Sequence, residues 1–248
     1  MIRIAAVGDL HYGVDTRNLL RPSFEHLAER ADVLLLAGDL TRCGDPAEAQ
    51  VLAEEIRDLP IPRVAVLGNH DYHADQEDRV RGILEEAGVR VLEGESIVLE
   101  IDHARLGIAG SKGFGGGFTG ACGSDFGEPE MKAFVGHTKK VADRLENALR
   151  RLDTDLKVAL LHYAPVEQTL VGERLEIYPF LGSYLLAEAV DRAGADLVFH
   201  GHAHHGIERG MTPGGIPVRN VAQPVIRHAY NVYSLEPKLE RDRVLAAS

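Results

Sequence analysis

The stretch VAVLGNHD, residues 64–71, joins a short apolar run directly to a glycine and three polar side chains. An apolar run of this length is typical of a buried strand in a largely parallel sheet. Four other stretches also end an apolar run in acidic or imidazole side chains. They are IAAVGDLH at residues 4–11, VLLLAGD at 33–39, VALLH at 158–162 and ADLVFHGHAH at 195–204. Because ligands of such sheets bind beyond the carboxyl ends of the strands, we expect the five clusters to form one site.

The side chains that follow these runs are of the types that bind transition metals. They are carboxylates, imidazoles and one side-chain amide, namely Asp9, His11, Asp39, Asn69, His162, His202 and His204. Such mixed oxygen and nitrogen sets suit manganese, iron, zinc or cobalt, whereas an all-oxygen set would indicate magnesium or calcium. Two cations about 3.5–4 Å apart, bridged by one carboxylate, can clamp the attacking and leaving oxygens of a displacement at phosphorus. The pattern therefore predicts a two-metal site for phosphoester chemistry.

Each of these residues has a simpler interpretation when it is taken alone. Asp9 could cap the segment after its strand, and Asp39 could be an ordinary turn carboxylate. Asn69 could be a turn amide in a left-handed conformation, and His162 could be a hydrogen-bonded core histidine. For the last three, taken singly, the simpler interpretation is favoured. Five clusters at five predicted strand ends favour the shared site.

Taken in order, the motifs DLH, GD, GNHD, a lone histidine and GHAH resemble those of the calcineurin-like metallophosphoesterases. The resemblance extends from Asp9 to His204, which is most of the chain. It implies two metal ions that share the carboxylate of Asp39. One ion would be held by Asp9, His11, Asp39 and His204, and the other by Asp39, Asn69, His162 and His202. Manganese is favoured, with iron, zinc, cobalt and nickel as alternatives.

The resemblance also implies a catalytic role for two residues that are not ligands. A metal-bridging hydroxide would attack phosphorus, and His70 would face the substrate and assist the departing alcohol. Asp71 would lie behind His70 and fix its orientation, as carboxylates commonly do for functional histidines.

Three further histidines and one arginine lie near the motifs. Gly201 sets the register of the last motif, so His200 is expected to be a hydrogen-bonded core residue on the strand. His205 and His137 could each reach the cleft, and nothing in the sequence decides between the cleft and the surface. Arg42 could meet a phosphoryl oxygen or could equally be a solvated loop residue.

The order of the predicted elements favours an α/β fold of two packed mixed β-sheets flanked by helices, an α/β/β/α four-layer sandwich. The family resemblance implies the same architecture. Helices are expected near residues 23–30, 46–58, 76–87, 139–152 and 183–193. The glycine-rich stretch at residues 110–137 is expected to be irregular, either as a flexible lid or as a surface loop. We expect a single metallophosphoesterase domain over residues 1–248.

Composition narrows the choice of partners. The formal net charge of −11 argues against a protein that holds nucleic acid through broad phosphate contacts. No apolar stretch approaches the length of a membrane span, and the N-terminal residues enter a predicted strand without a secretory signal pattern. Two cysteines do not make a disulfide framework, which favours a cytoplasmic location.

The sequence thus predicts a metal-dependent phosphoesterase acting on a small phosphodiester. A phosphomonoesterase and a nuclease remain alternatives within the enzyme class. A catalytically silent metal-binding scaffold is disfavoured, because every ligand and His70 are present.

Overall fold

The computed structural model describes residues 1–237, which form thirteen strands and eight α-helices. The strands are β1 Ile2–Val7, β2 Val33–Ala37, β3 Arg63–Val66, β4 Val89–Val91, β5 Glu95–Ile101, β6 Ala104–Ser111, β7 Gly117–Phe118, β8 Ala121–Cys122, β9 Leu156–Leu161, β10 Leu197–His200, β11 Arg209–Met211, β12 Pro217–Asn220 and β13 Asn231–Leu235. The helices are α1 Arg21–Phe24, α2 Leu27–Arg30, α3 Pro46–Ile56, α4 Glu77–Glu86, α5 Pro129–Arg150, α6 Tyr178–Leu181, α7 Tyr184–Ala193 and α8 Gln223–Ile226.

Two mixed sheets hold most of the strands. The first has the order β13-β1-β2-β3-β4, with β1 to β4 parallel and β13 antiparallel at the edge. The second has the order β11-β12-β10-β9-β6-β5, parallel from β12 to β6 and antiparallel at both edges. Strands β7 and β8 form a separate small hairpin.

The two sheets pack face to face and are covered by helices on their outer faces. Between them lies an apolar layer that includes Ile4, Leu35, Val158 and Phe199. Alternate residues of β2 point outward against α3 and α4, and α5 and α7 cover the second sheet in the same way. Because successive strand side chains point to opposite faces, fully apolar strands can fill both layers. The predicted α/β/β/α sandwich is therefore confirmed.

Several local predictions were wrong. The predicted helix at 23–30 is two short helices, α1 and α2, and the stretch at 110–137 is only partly irregular. It contains the β7–β8 hairpin, and α5 begins within it at Pro129, ten residues before the predicted start. Proline at the first helical position and Glu130 in the first turn account for the earlier start of α5. The short edge strand β11 was also missed.

The parallel strands bring the five motifs to one edge of the sandwich. The loops after β1, β2 and β3 leave the first sheet there, and the loops after β9 and β10 leave the second. Among the described residues, no helix combines the length and the apolar character that a membrane span requires.

Candidate functional site

Hydrogen bonds join the five motif loops, some between backbone groups and others from a backbone amide to a carboxylate. The amide of Asp9 donates to the carbonyl of Gly38 at 2.9 Å, and that of His11 donates to the carbonyl of Asp39 at 3.0 Å. Within the second sheet, Gly201 N donates to His162 O at 3.1 Å, and across the two sheets His202 N donates to Asp9 Oδ2 at 2.9 Å. These bonds fix the loops of β1, β2, β9 and β10 as one rigid frame.

Two motif glycines leave room for the carboxylates. A Cβ atom at Gly68 would overlap the Asp39 carboxylate and its backbone nitrogen, and a Cβ atom at Gly201 would overlap the carboxylate of Asp9. Only glycine allows the backbone to approach these acidic groups so closely.

Four of the predicted metal ligands have left-handed backbone conformations. The φ angles are 57° at Asp9, 43° at His11, 48° at Asp39 and 69° at His202. This region is unfavourable for residues other than glycine by about 1–2 kcal/mol each, so the surrounding contacts must enforce it. Such conformations cluster at functional sites because they aim a side chain where a regular loop would not.

The first group of donor atoms comprises Asp9, His11, Asp39 and His204, whose ligand atoms lie within 4.8 Å of one another. His204 Nε2 is 2.9 Å from Asp9 Oδ1 and 3.4 Å from His11 Nε2. His11 Nε2 is in turn 3.8 Å from Asp39 Oδ2. The four side chains thus converge on one point from three loops.

The second group comprises Asp39, His162 and His202, again within 4.8 Å of one another. Asn69 joins it, since its Oδ1 is 3.0 Å from His162 Nε2. His162 Nε2 is also 3.3 Å from Asp39 Oδ1. Asp39 thus presents Oδ1 to the second group and Oδ2 to the first, which is the geometry of a bridging carboxylate.

The imidazole tautomers leave lone pairs facing oxygen atoms in the second group. His162 Nδ1 lies 2.9 Å from the carbonyl of Ala37, so Nδ1 carries the proton and Nε2 carries the lone pair. That lone pair faces the oxygens of Asn69 and Asp39, which are acceptors as well. A cation between them would turn this repulsion into coordination. In the same way, His202 Nε2 donates to the carbonyl of Phe180 at 3.2 Å, which leaves Nδ1 free as a donor atom for a metal.

Electrostatics in the cluster also fit a cation. Burial lowers the pKa of His11 to about 4 and that of His202 to about 3, and it lowers the pKa of His162 well below its usual range. Burial raises the pKa of Asp9 to about 6, against the hydrogen bond from His204. Neutral imidazoles beside buried carboxylates are the protonation states that divalent metals bind; His204 differs from the other three, because its hydrogen bond to Asp9 raises its pKa.

His70 lies beside the cluster but belongs to neither group. Its Nδ1 donates to the carbonyl of Arg42 at 2.8 Å, and its Nε2 is 4.0 Å from Asp39 Oδ2. The side chain is 45% exposed, and its ring packs edge-on against that of His11. The free Nε2 therefore faces both the shared carboxylate and solvent, where a substrate would enter.

Asp71 does not make the contact expected from the sequence. Its buried carboxylate accepts four hydrogen bonds, from Leu40 N, Thr41 N, Thr41 Oγ1 and Gly68 N, at 2.6–3.1 Å. The predicted orientation of His70 by Asp71 is thus corrected, because the Arg42 carbonyl makes that contact. Asp71 instead ties the loop after β2, which carries Arg42, to the loop after β3.

The four neighbouring residues considered in the sequence analysis lie outside both groups of donor atoms. His200 is buried, with Nε2 2.8 Å from Thr169 Oγ1, which confirms its core position. His205 is exposed, and the His137 ring packs against Phe114. The Arg42 guanidinium pairs with Asp15 at 2.9 Å on the surface.

Sequence reasoning missed the groups that act through the backbone or from a distance. The carbonyls of Ala37, Arg42 and Phe180 fix three imidazoles, and a carbonyl carries no signal in the sequence. Lys112 was also missed. Its place directly after β6, which pairs with the strand that leads to His162, is known only from the structure.

Comparisons with known proteins concern the family and the fold. A family model described as calcineurin-like phosphoesterase matches residues 2–206. A probable cyclic nucleotide phosphodiesterase from Synechococcus sp. is 38% identical over 80 residues, 28% of this chain and 31% of that protein. The match thus spans less than a third of the curated relative.

Solved structures share the fold at low sequence identity. Phosphopantetheinyl hydrolase from Mycobacterium tuberculosis has a TM-score of 0.68 at 16% identity, covering 95% of this chain and 96% of that one. A putative 5′-nucleotidase from Staphylococcus aureus has a TM-score of 0.53 at 16% identity, covering 95% of this chain and 53% of that one. Both likenesses concern the fold alone.

Proposed function

The chain belongs to the calcineurin-like phosphoesterase family, and on that premise we propose that it hydrolyses a small phosphodiester at a two-metal centre. The observation that carries the proposal is the shared carboxylate of Asp39, which presents one oxygen to each of two groups of donor atoms. The free Nε2 of His70 lies beside the same carboxylate.

In this proposal seven side chains hold the two ions. Asp9, His11, Asp39 and His204 would hold the first, and Asp39, Asn69, His162 and His202 would hold the second. The donor set of imidazoles, carboxylates and one amide suits manganese, with iron, zinc, cobalt or nickel as alternatives. When bound, the ions would supply Lewis acidity toward the phosphoryl oxygens and a hydroxide nucleophile near neutral pH.

The chain's own residues would complete the reaction. When its ring carries a proton on both nitrogens, His70 is placed to give the Nε2 proton to the leaving alcohol oxygen, while its Nδ1 stays bonded to the Arg42 carbonyl. Asp71 keeps that carbonyl in place through its bonds to Leu40 and Thr41. Asp71 would therefore be a positioning residue rather than a catalytic one.

Two considerations support a small diester as the substrate. The curated relative is named as a probable cyclic nucleotide phosphodiesterase, and a solved structure of the same fold is named as a phosphopantetheinyl hydrolase. The net charge of −11 disfavours long nucleic acids, which bind through many phosphate contacts.

Both cysteines are free and exposed, in keeping with a reducing cytoplasm, which we propose as the location of the protein. We also propose that residues 1–248 act as one domain.

The test compares bis-p-nitrophenyl phosphate with p-nitrophenyl phosphate, with manganese and with a chelator. We expect chelator-sensitive hydrolysis that favours the diester. Asp39→Asn should abolish turnover and lower the bound metal, whereas Asp45→Asn, at the exposed N-cap of α3, should change neither. A preference for the monoester would favour the phosphomonoesterase alternative. Loss of turnover with both ions still bound to Asp39→Asn would contradict the bridging role.

A further inference from the structure

Lys112 lies directly beside the candidate metal centre, and its backbone is part of the frame. It follows β6, and its carbonyl accepts hydrogen bonds from His162 N at 3.1 Å and Tyr163 N at 2.9 Å. Its own amide donates to Glu93 Oε2 at 3.0 Å. These bonds hold the start of the side chain in one place relative to His162.

The Lys112 ammonium is surrounded by three aromatic rings. Its Nζ lies 4.6 Å from the ring centre of Tyr72, and 5.5 Å from those of Phe114 and Tyr163. We refer to these four residues as the Lys112 pocket. The Tyr163 ring also packs at 4.4 Å against that of His202, so the ammonium is one ring away from a candidate ligand.

This ammonium has no counter-ion among the residues that the structure describes. Within residues 1–237, no carboxylate oxygen lies within 4.0 Å of Lys112 Nζ. The nearby acid Glu93 has its oxygens engaged by Ser111 Oγ at 3.1 Å and by the Lys112 amide. Burial lowers the pKa of Lys112, while the charges of Glu93, Asp39 and Glu77 act in the opposite direction.

The pocket also offers two unused hydroxyl donors. The phenolic oxygens of Tyr72 and Tyr163 make no hydrogen bond to any described residue. Lys112 and Tyr72 are partly exposed, so the pocket is open to a ligand. The ammonium has three donor hydrogens, and each phenolic hydroxyl has one. Together they can donate hydrogen bonds to the three oxygens of a terminal phosphate group.

We propose that the Lys112 pocket binds a second phosphate group of the substrate, carried on the alcohol portion beyond the diester that is cleaved. The inference rests on the proposed phosphodiesterase function and narrows its substrate class to diesters that bear an additional phosphate. The reacting phosphoryl group would lie with the metal ligands, and the Tyr163 ring, which contacts both His202 and the ammonium, would lie between the two phosphate groups. Lys112 therefore selects the substrate and takes no part in the chemistry.

The test uses two esters that share one reacting bond. They are thymidine 5′-(p-nitrophenyl phosphate) with and without a 3′-phosphate, assayed with the manganese-loaded enzyme. The wild type should prefer the 3′-phosphorylated ester about tenfold to hundredfold in kcat/KM, through a lower KM. Lys112→Met, which keeps the length of the side chain, should reduce this ratio to about one. Lys112→Arg should retain most of it, and the exposed Lys132→Met should not change it.

Binding is measured in parallel by titration calorimetry with thymidine 3′,5′-bisphosphate and thymidine 5′-phosphate. A preference for the bisphosphate that Lys112→Met abolishes supports the pocket even if neither ester is hydrolysed, and in that case only the proposed activity fails. The pocket is refuted if the wild type shows no preference in either assay, or if Lys112→Met retains it. An equal loss on both esters also refutes it, because the ammonium would then act on the shared diester or on packing.

Discussion

Replacing Gly201 with alanine should remove one of the two metal ions and leave the fold intact. The backbone of Gly201 does not have a positive φ angle, so alanine causes no conformational strain there. The added Cβ would overlap the Asp9 carboxylate and would lie 2.9 Å from the carbonyl of Ala37. To restore ordinary van der Waals separation, the carboxylate must retreat by about 1 Å.

A shift of that size exceeds the tolerance of a metal site. Coordination distances vary by about 0.2 Å, so a displaced Asp9 cannot remain a ligand of the first ion. Loss of a direct ligand should cost more than the roughly 10–100-fold in affinity that is typical of an indirect partner. The second group does not include Asp9, and the Ala37 carbonyl that fixes His162 needs to move by only a few tenths of an ångström, so the second ion should remain.

The measurement is metal content by elemental analysis after manganese loading and desalting. The wild type should retain two ions per chain and Gly201→Ala one, with turnover of bis-p-nitrophenyl phosphate falling at least about hundredfold. The control is Gly82→Ala in α4, where a Cβ meets nothing within 4 Å. It should retain two ions and gain roughly 0.5–1 kcal/mol of stability. Two tightly bound ions in Gly201→Ala would refute the assignment of Asp9 to the first ion.

Three further predictions concern residues around the ligands. His70→Asn should retain both ions but lose about 10²–10⁴-fold in kcat, and unchanged turnover would remove His70 from the mechanism. Thr41→Val removes the 2.6 Å hydrogen bond from Thr41 Oγ1 to Asp71 and should lower Tm by about 4–10 °C. Thr41→Ser keeps the hydroxyl and should not lower Tm. Equal Tm values for the two variants would contradict the role of that bond. Burial lowers the pKa of His200 from 6.5 to about 4, so its neutral form contributes stability above pH 6.5 that is lost as the pH falls through 4. In urea titrations His200→Gln should therefore lose about 3 kcal/mol less than the wild type between pH 7 and pH 4, and parallel losses would contradict the shift.

The elements that place the site were predictable because their signals are local. Each short apolar run followed by glycine or aspartate specified a strand and the loop after it, as at Val64–Ala65 and the Gly68 turn. Because the carboxyl ends of parallel strands meet at one edge, the convergence of Asp39 and His162 followed from the same pattern.

What could not be predicted depends on contacts between distant segments. The four donors to Asp71 come from two loops, and no local pattern shows that the Arg42 carbonyl replaces it at His70. The three rings around Lys112 come from different parts of the chain, and the lack of a carboxylate partner within residues 1–237 is visible only in three dimensions. The start of α5 at Pro129 had a local signal, but the glycine-rich sequence before it favoured an irregular segment that extends past Pro129.

The most direct test of the two-metal centre is a manganese titration of the metal-free protein, followed by turnover of bis-p-nitrophenyl phosphate. If Asp39 bridges two ions, activity should rise with added metal and reach its plateau at two equivalents per chain. A plateau at one equivalent, or full activity in the presence of a chelator, would contradict the account.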